Sequence, residues 1–454
     1  MSENSLEQIK SPEQTNSSEK LEKSTIKNKY AYFAGIDLGT SGCRLTVIDK
    51  NKKTHHQATI TYQNPDKQIP QLWWDCVSNL LKALPLKIKQ NLQSIAVDGT
   101  SGTILLVNSQ GQVTSSVLMY NDLRATEEAE KINQLMPKNN GGQGASGSLA
   151  RLLWLLKHEP SKKHAHAVHQ ADYILGKLSN NYQLSDENNC LKLGYDVVNQ
   201  SWPKDKIKKL GVPLSLLPIV VSAGTTVAHI DPSEAIKLGL PSSLKCVTGT
   251  TDSIAAFIAT GANKVGDAVT SLGSTLVLKL VSDTPIFSPE HGIYSHRLNN
   301  QWLVGGASNA GAKVLQNFFS QQQLDELTPQ LLPDKTTGLD YYPLVKGGER
   351  FPVADANKQP KLSPRPKSDL RFFQGILEGI ANIEKQGYMK LRELGAPQVS
   401  SVRSVGGGSK NEPWTQIRKN QLSVSMLKSK QTEASYGSAL LALKGYNEKG
   451  YIKE

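Results

Sequence analysis

No GxxxxGK[ST] motif occurs in this chain of 454 residues, which excludes a P-loop nucleotide site. The HExxH pair of a zinc protease and the protein-kinase motif set are missing as well. Cysteine is scarce. Cys43, Cys76, Cys190 and Cys246 form no CxxC pair and cluster with no histidine. That spacing argues against structural zinc and a disulfide framework, and points to a reducing, cytoplasmic compartment. No apolar run approaches the roughly 20 residues of a membrane helix. The net charge is +12, yet the basic residues are spread out and form no stripe interleaved with aromatics. Nucleic acid is therefore not expected as a partner; a cationic surface suits nucleotides and phosphorylated products. The histidines are scattered, and His164, His166 and His169 in a Lys-rich stretch read as a solvated helix face.

Hydrophobic residues make up 38% and charged residues 20%, the balance of a globular protein. The length suits two domains of roughly 200 residues each. Residues 1–29 are rich in Ser, Glu, Lys, Gln and Asn and read as a disordered tail. The tail has no apolar core for a secretory signal, and its glutamates argue against a transit peptide. Beyond it, Tyr32–Asp49 holds two β-rich runs broken at Asp37–Gly42, and Thr54–Tyr62 reads as a third strand. Ala268–Leu280 repeats the strand–turn–strand device, and Ser94–Val107 carries it a third time around Asp98–Thr103. Helical spacing marks 72–84, 123–136, 148–158, 171–178 and 370–394, while 188–201 reads as irregular. Asp231 is placed to cap a helix beginning at Pro232. The pattern is α/β, with antiparallel hairpins opening two related domains and a cleft between them.

Four segments carry the chemistry. In Asp37-Leu-Gly-Thr-Ser41, Gly39 admits a phosphate close to the backbone, and Thr40 and Ser41 supply donors. Asp37 offers a carboxylate for Mg²⁺, commonly through water. Ser271-Leu-Gly-Ser-Thr275 is the same device without the carboxylate, with Gly273 and Ser274 at its bend. Asp252, after Gly249-Thr-Thr, stands at a strand-to-helix turn, where it can cap the helix and accept a proton from a substrate hydroxyl. Gly406-Gly-Gly-Ser-Lys-Asn-Glu-Pro-Trp414 follows a strand. Bare backbone at Gly407 and Gly408 suits a flat base, with Asn411 to hydrogen-bond it and Trp414 to pack beside it.

In this order the segments resemble the sugar kinase/actin/Hsp70 superfamily, and within it the FGGY carbohydrate kinases, from about Tyr32 onward. Leu118–Arg124 is similar to the family's W-N-D-x-R segment, and Ser146–Pro160 to its K-L-L-W-L-K-x-x-E-P helix; Ala171–Leu178 and Gln374–Ala381 also match. The resemblance runs furthest toward the xylulose-kinase-like D-ribulose kinases of cyanobacteria and plants. It implies two ribonuclease-H-like α/β domains flanking an ATP/sugar cleft. Residues 30–259 would form the sugar and phosphate side, completed by a C-terminal helix over about 433–454, and residues 260–432 the adenine side. It also implies Asp252 as the catalytic base and as a substrate contact, Asp37 near Mg²⁺ and substrate, and Ser101 as a sugar contact. Thr40, Ser41, Gly273, Ser274, Gly407, Gly408, Asn411 and Trp414 would meet ATP. Gly99-Thr-Ser-Gly102 replaces the Gln-Met-His-like segment of typical xylulose kinases. Lost hydrogen-bonding groups discriminate strongly between polyols, so the expectation shifts from D-xylulose to D-ribulose. The expected reaction is transfer of phosphate from ATP, with Mg²⁺, to the 5-hydroxyl of D-ribulose by a monomer or weak homodimer. The alternatives are D-xylulose or another polyol, or an actin-like ATP switch.

Overall fold

The computed structural model describes residues 30–64, 68–145 and 147–448. The tail expected over residues 1–29, Ser146, and residues 449–454 of the expected last helix lie outside these. In chain order the strands are Tyr32–Leu38 (β1), Gly42–Asp49 (β2), Thr54–Thr61 (β3), Leu92–Gly99 (β4), Ile104–Val107 (β5), His166–His169 (β6), Leu184–Asp186 (β7) and Ile219–Val221 (β8). They continue as Thr226–His229 (β9), Lys245–Val247 (β10), Asp267–Leu272 (β11), Leu276–Ser282 (β12), His296–Leu298 (β13), Gln301–Ser308 (β14), Ser401–Val405 (β15) and Ser425–Leu427 (β16).

Two six-stranded sheets organise the chain, in the orders β3-β2-β1-β4-β10-β9 and β13-β14-β12-β11-β15-β16. In the first, β1–β3 form an antiparallel meander, and β4 and β10 then add parallel strands beside β1. In the second, β11, β12 and β14 form the meander, and β15 and β16 add the parallel strands. The repeated connectivity is that of the ribonuclease-H-like halves expected from the sequence. In each half the first hairpin turn lies next to the carboxyl end of the first parallel strand, because Leu38 pairs with Gly99 and Ser271 with Val405.

β1 is buried along its whole length. Its two-residue period puts Ala34, Ile36 and Leu38 into one core and turns Phe33, Gly35 and Asp37 to the opposite face. That face is covered by the helix Ala434–Asn447, which returns from the second half of the chain. The approach is backbone to backbone. A Cβ at Gly35 would lie 2.1 Å from Ala439 N and Ser435 O, and one at Gly437 would lie 1.9 Å from Ala255 O. Hydroxyls complete the seam: Ser94 donates to Ala442 O at 2.7 Å, Thr226 to Gly445 O at 2.7 Å, and Thr46 and Ser435 share a bond of 2.8 Å.

The second sheet packs on the helix Asp369–Glu393, whose N-terminus is capped by Ser368 Oγ accepting from Arg371 N. Beneath it Arg418 and Glu384 form a fully buried, two-pronged pair, with N···O distances of 2.6 and 2.7 Å. Glu384 also accepts from Thr270 on β11, and Arg418 donates to Ser404 on β15. The pair thus locks both strands that end at the second phosphate-type turn and the glycine turn.

Three readings of the sequence need correction. The third strand–turn–strand does not stay in one sheet: β4 ends at Gly99, and β5 leaves to pair with β6. Within 188–201, Glu187–Lys192 is helical, because Asp186 caps it by accepting from the Asn188 and Asn189 amides. His169 lies on β6, fully buried, with its ring nitrogens 3.0 Å from Asp172 Oδ2 and 3.1 Å from Ser148 Oγ; it is no solvated helix face.

Gly437→Ala therefore forces a methyl into the Ala255 backbone. We expect destabilisation of about 1–3 kcal/mol, read as a lower thermal midpoint, while Gly407→Ala, at an open position without a left-handed backbone, perturbs far less.

Candidate functional site

Three carboxylates gather where β1, β4 and β10 end. Asp37 and Asp98 are register partners on adjacent parallel strands, and Gly99 bridges to Thr251, just before Asp252. Asp98 is completely buried and accepts from Ser438 Oγ at 2.6 Å. No protein group donates to its Oδ1. Burial first, then the charges and hydrogen bond of Asp37, push its carboxyl well above the usual range. Its protonated form is thereby favoured, and a proton held there can be directed to Asp37. Asp37 is itself nearly buried and is paired with Arg44, whose Nη1 lies 3.1 Å from Oδ2. Arg44 also reaches Glu433, 3.6 Å away, at the entry to the last helix.

Asp252 opens the helix Asp252–Ala259, with Thr251 in the capping position. Its Oδ1 accepts from the Ser253 amide at 2.6 Å. Burial raises its pKa to about 6; the Ser253 amide opposes this, Asp37 adds to it, and Lys279 opposes it. The group therefore remains a carboxylate at neutral pH with useful proton affinity, which is what a general base requires.

Asp252 and Ser101 line one cavity of about 370 Å³ together with Tyr120 and Lys192. The opposite wall comes from the second half, through Val277, Lys279, Tyr294, His296 and the Leu303–Ala307 stretch of β14. Thr40 and Ser41 sit on the exposed β1–β2 turn, and Thr40 Oγ1 lies 3.5 Å from the Tyr120 hydroxyl.

Gly273 and Ser274 occupy the β11–β12 turn, beside the glycine turn after β15. Gly406 takes a φ of 83°, and a Cβ there would lie 2.9 Å from Leu272 O. Gly407 faces open space. Asn411 caps the following helix by accepting from the Trp414 amide at 2.8 Å. Trp414 departs from its expected role. It is fully buried, donates to Leu377 O at 3.1 Å, and underlies Gly408, where a Cβ would lie 2.4 Å from its ring. Packing claims the indole, so it supports the turn from below and leaves no face for a base to stack on.

Sequence reasoning missed Arg44, Asp98 and Lys279. Asp98 was visible only as the first residue of a Gly/Thr/Ser turn. Arg44 could have been found from the period of β2, which aims it at the face of Asp37. One carboxylate at the cleft edge, a second nearby and two turns rich in donors fit Mg²⁺, which keeps most of its water and relies on substrate phosphates. Among the described residues no cluster of three or more His, Cys, Asp or Glu offers a dedicated metal cage.

Comparison with known proteins agrees with this arrangement. Residues 32–259 match the profile of the FGGY family of carbohydrate kinases, N-terminal domain, and residues 268–446 that of its C-terminal domain. A xylulose kinase of Bacillus subtilis is 25% identical over 91% of this chain and 88% of its own length. A gluconokinase of the same organism is 19% identical over 91% and 87%. The crystal structure of xylulose kinase from Rhodospirillum rubrum superposes with a TM-score of 0.79 at 21% identity, covering 92% of this chain and 90% of that one.

The raised proton affinity of Asp98 has a consequence. Asp98→Asn keeps an acceptor for Ser438 and a donor for Asp37, so its fold stays intact, while Asp98→Ala loses about 1–3 kcal/mol in a denaturant melt. A raised folded pKa stabilises below the unfolded value of about 3.9, and this contribution is lost as pH rises. Asp98→Asn therefore gains on the wild type as pH rises above about 4.

Proposed function

We propose that this chain, which belongs to the FGGY family of carbohydrate kinases, transfers the γ-phosphoryl group of ATP to the 5-hydroxyl of D-ribulose. The observation that carries the reading is the placement of Asp252. It is a carboxylate with raised proton affinity at a helix start, in a cavity shared with Ser101 and walled by both halves of the molecule.

In the proposed reaction the sugar's O5 forms a bond to the γ-phosphorus as the bond from that phosphorus to the β,γ-bridging oxygen breaks. ADP leaves, and Asp252 takes the hydroxyl proton. Ser101 and Tyr120 offer hydroxyls to the sugar from the same wall as Asp252. Thr40 and Ser41 on one turn and Gly273 and Ser274 on the other present donors to the phosphates, while Gly407, Gly408 and Asn411 frame the base. Asp37, held by Arg44 and Asp98, is the residue that would hold Mg²⁺ through water. Bound there with ATP, the ion would offset phosphate charge. Trp414 acts under the glycine turn.

D-ribulose is favoured because the segment facing the sugar offers small hydroxyl groups, Thr100 and Ser101, between glycines. Thr100 is committed internally, bonding Gln170 and Thr103, which leaves Ser101 as the free hydroxyl. A sugar acid is the second reading, because Lys192 brings a cation to the same cavity.

An ADP-release assay over D-ribulose, D-xylulose, L-ribulose, xylitol and gluconate separates these readings. D-ribulose is expected to give the highest kcat/KM, and activity with another compound alone sinks the choice. Asp252→Asn is expected to reduce kcat by at least about 10²-fold while ATP still binds. Since the base must be unprotonated, kcat/KM for the sugar rises with pH through about 6, the value toward which burial moves Asp252.

A further inference from the structure

Lys279 is out of place in β12. The neighbours on its face, Val277 and Val281, are apolar, and Val281 belongs to the cluster in which Ile254 and Phe257 of the Asp252 helix meet the second sheet. A leucine or methionine would continue that packing. Instead, the half-buried Lys279 crosses from the second half to the first and donates to Ser253 O at 2.7 Å. Ser253 is the residue whose amide is bonded to the Asp252 carboxylate. The lysine therefore holds the carbonyl side of a residue whose N–H holds the base.

Its surroundings do not explain it as a structural ion pair. Among the described residues no carboxylate lies within ion-pair distance of its ammonium, and Asp252 is the acidic group that acts on it electrostatically. The other groups near it are His296 and, further along the wall, Lys192, whose ammonium lies over the Tyr294 ring. Lys279, His296, Lys192 and Tyr294 all line the cavity that Asp252 enters. An apolar side chain would pack better on this face, so a cation kept here, at the cavity wall and with one carbonyl bond, calls for a use. Burial moves the lysine down to about 8, with Asp252 opposing, so the cationic form persists at neutral pH.

We propose that Lys279 is a positioning residue for the proposed transfer: reaching from β12, it fastens the first turn of the Asp252 helix and fixes the base against the substrate when both halves enclose the cavity. This rests on the kinase reading above. The base lies on the first half and the clamp on the second, so the clamp forms only when the two halves sit in the arrangement described. Base geometry and cleft geometry are thereby linked through one side chain.

The test compares the wild type with Lys279→Met and Lys279→Arg, assayed with whichever sugar the wild type phosphorylates best. Lys279→Met keeps length and packing, and is expected to lower kcat 10- to 100-fold with KM for ATP and for sugar changed less than threefold. Lys279→Arg, which can still donate to Ser253 O, is expected to recover at least a third of the lost kcat on a logarithmic scale. Hydrogen exchange supplies a readout without turnover: amides of residues 253–256 exchange faster in Lys279→Met, and those of β1 do not. An unchanged kcat overturns the proposal, whether or not exchange rises. Equal losses in Met and Arg, or a loss in Met with exchange unchanged, also overturn it. A wild type that phosphorylates none of the sugars defeats the kinase reading and with it the positioning role, whereas a wild type active on any one of them leaves the kcat comparison to decide the lysine alone.

Discussion

The close contact between the last described helix and the first strand is the constraint on which the rest depends. Gly35 and Gly437 remove the side chains that would hold Ala434–Asn447 away from β1 and from the Asp252 helix. With those backbones nearly touching, Ser438 reaches Asp98, Asp98 is sealed from water, and its proton affinity rises beside Asp37. A looser seam would admit water to Asp98, lower its proton affinity and set two negative charges side by side. Packing and electrostatics are here the same fact seen at two scales.

The cleft distributes charge unevenly between its halves. The first half contributes the carboxylates Asp37 and Asp252, and the second contributes Lys279 and a turn made of donors. Arg44, which holds Asp37 in place, and Lys192 are exceptions, cations on the acidic side. Phosphoryl transfer moves negative charge from one side of such a cleft to the other, and opposed walls suit that movement. Below the second wall the Arg418–Glu384 pair stiffens β11 and β15, so the turns at their ends are carried by buried, doubly bonded anchors.

Much of this was legible in the sequence because it is local. Glycine and hydroxyl turns between β-rich runs marked both hairpins, and Asp231 before Pro232 marked a capped helix that the structure contains, with Asp231 accepting from Ser233 and Glu234. What was not legible depends on distant chain. His169 looked solvated among lysines, yet β6 turns it inward to Asp172 and Ser148. Trp414 looked available beside three glycines, but its indole is used by the core around Leu377. Asp98 read as part of a turn because the partner that buries it, Ser438, is 340 positions away. Lys279 was not singled out at all, since nothing nearby in sequence shows that its face meets another domain.

The seam also bears on how the chain is made. Thr46 and Ser435, which bond across it, are 389 positions apart. A ribosome adding about 5–20 residues per second releases the strands of the first sheet tens of seconds before it releases the helix that covers them. Through that interval the apolar face bearing Phe33 and Ala96 has no native cover. The second half, whose core helix Asp369–Glu393 lies within its own stretch of chain, can close first. The order of synthesis and the order of completion thus run in opposite directions, and the part of the molecule born first is the part finished last.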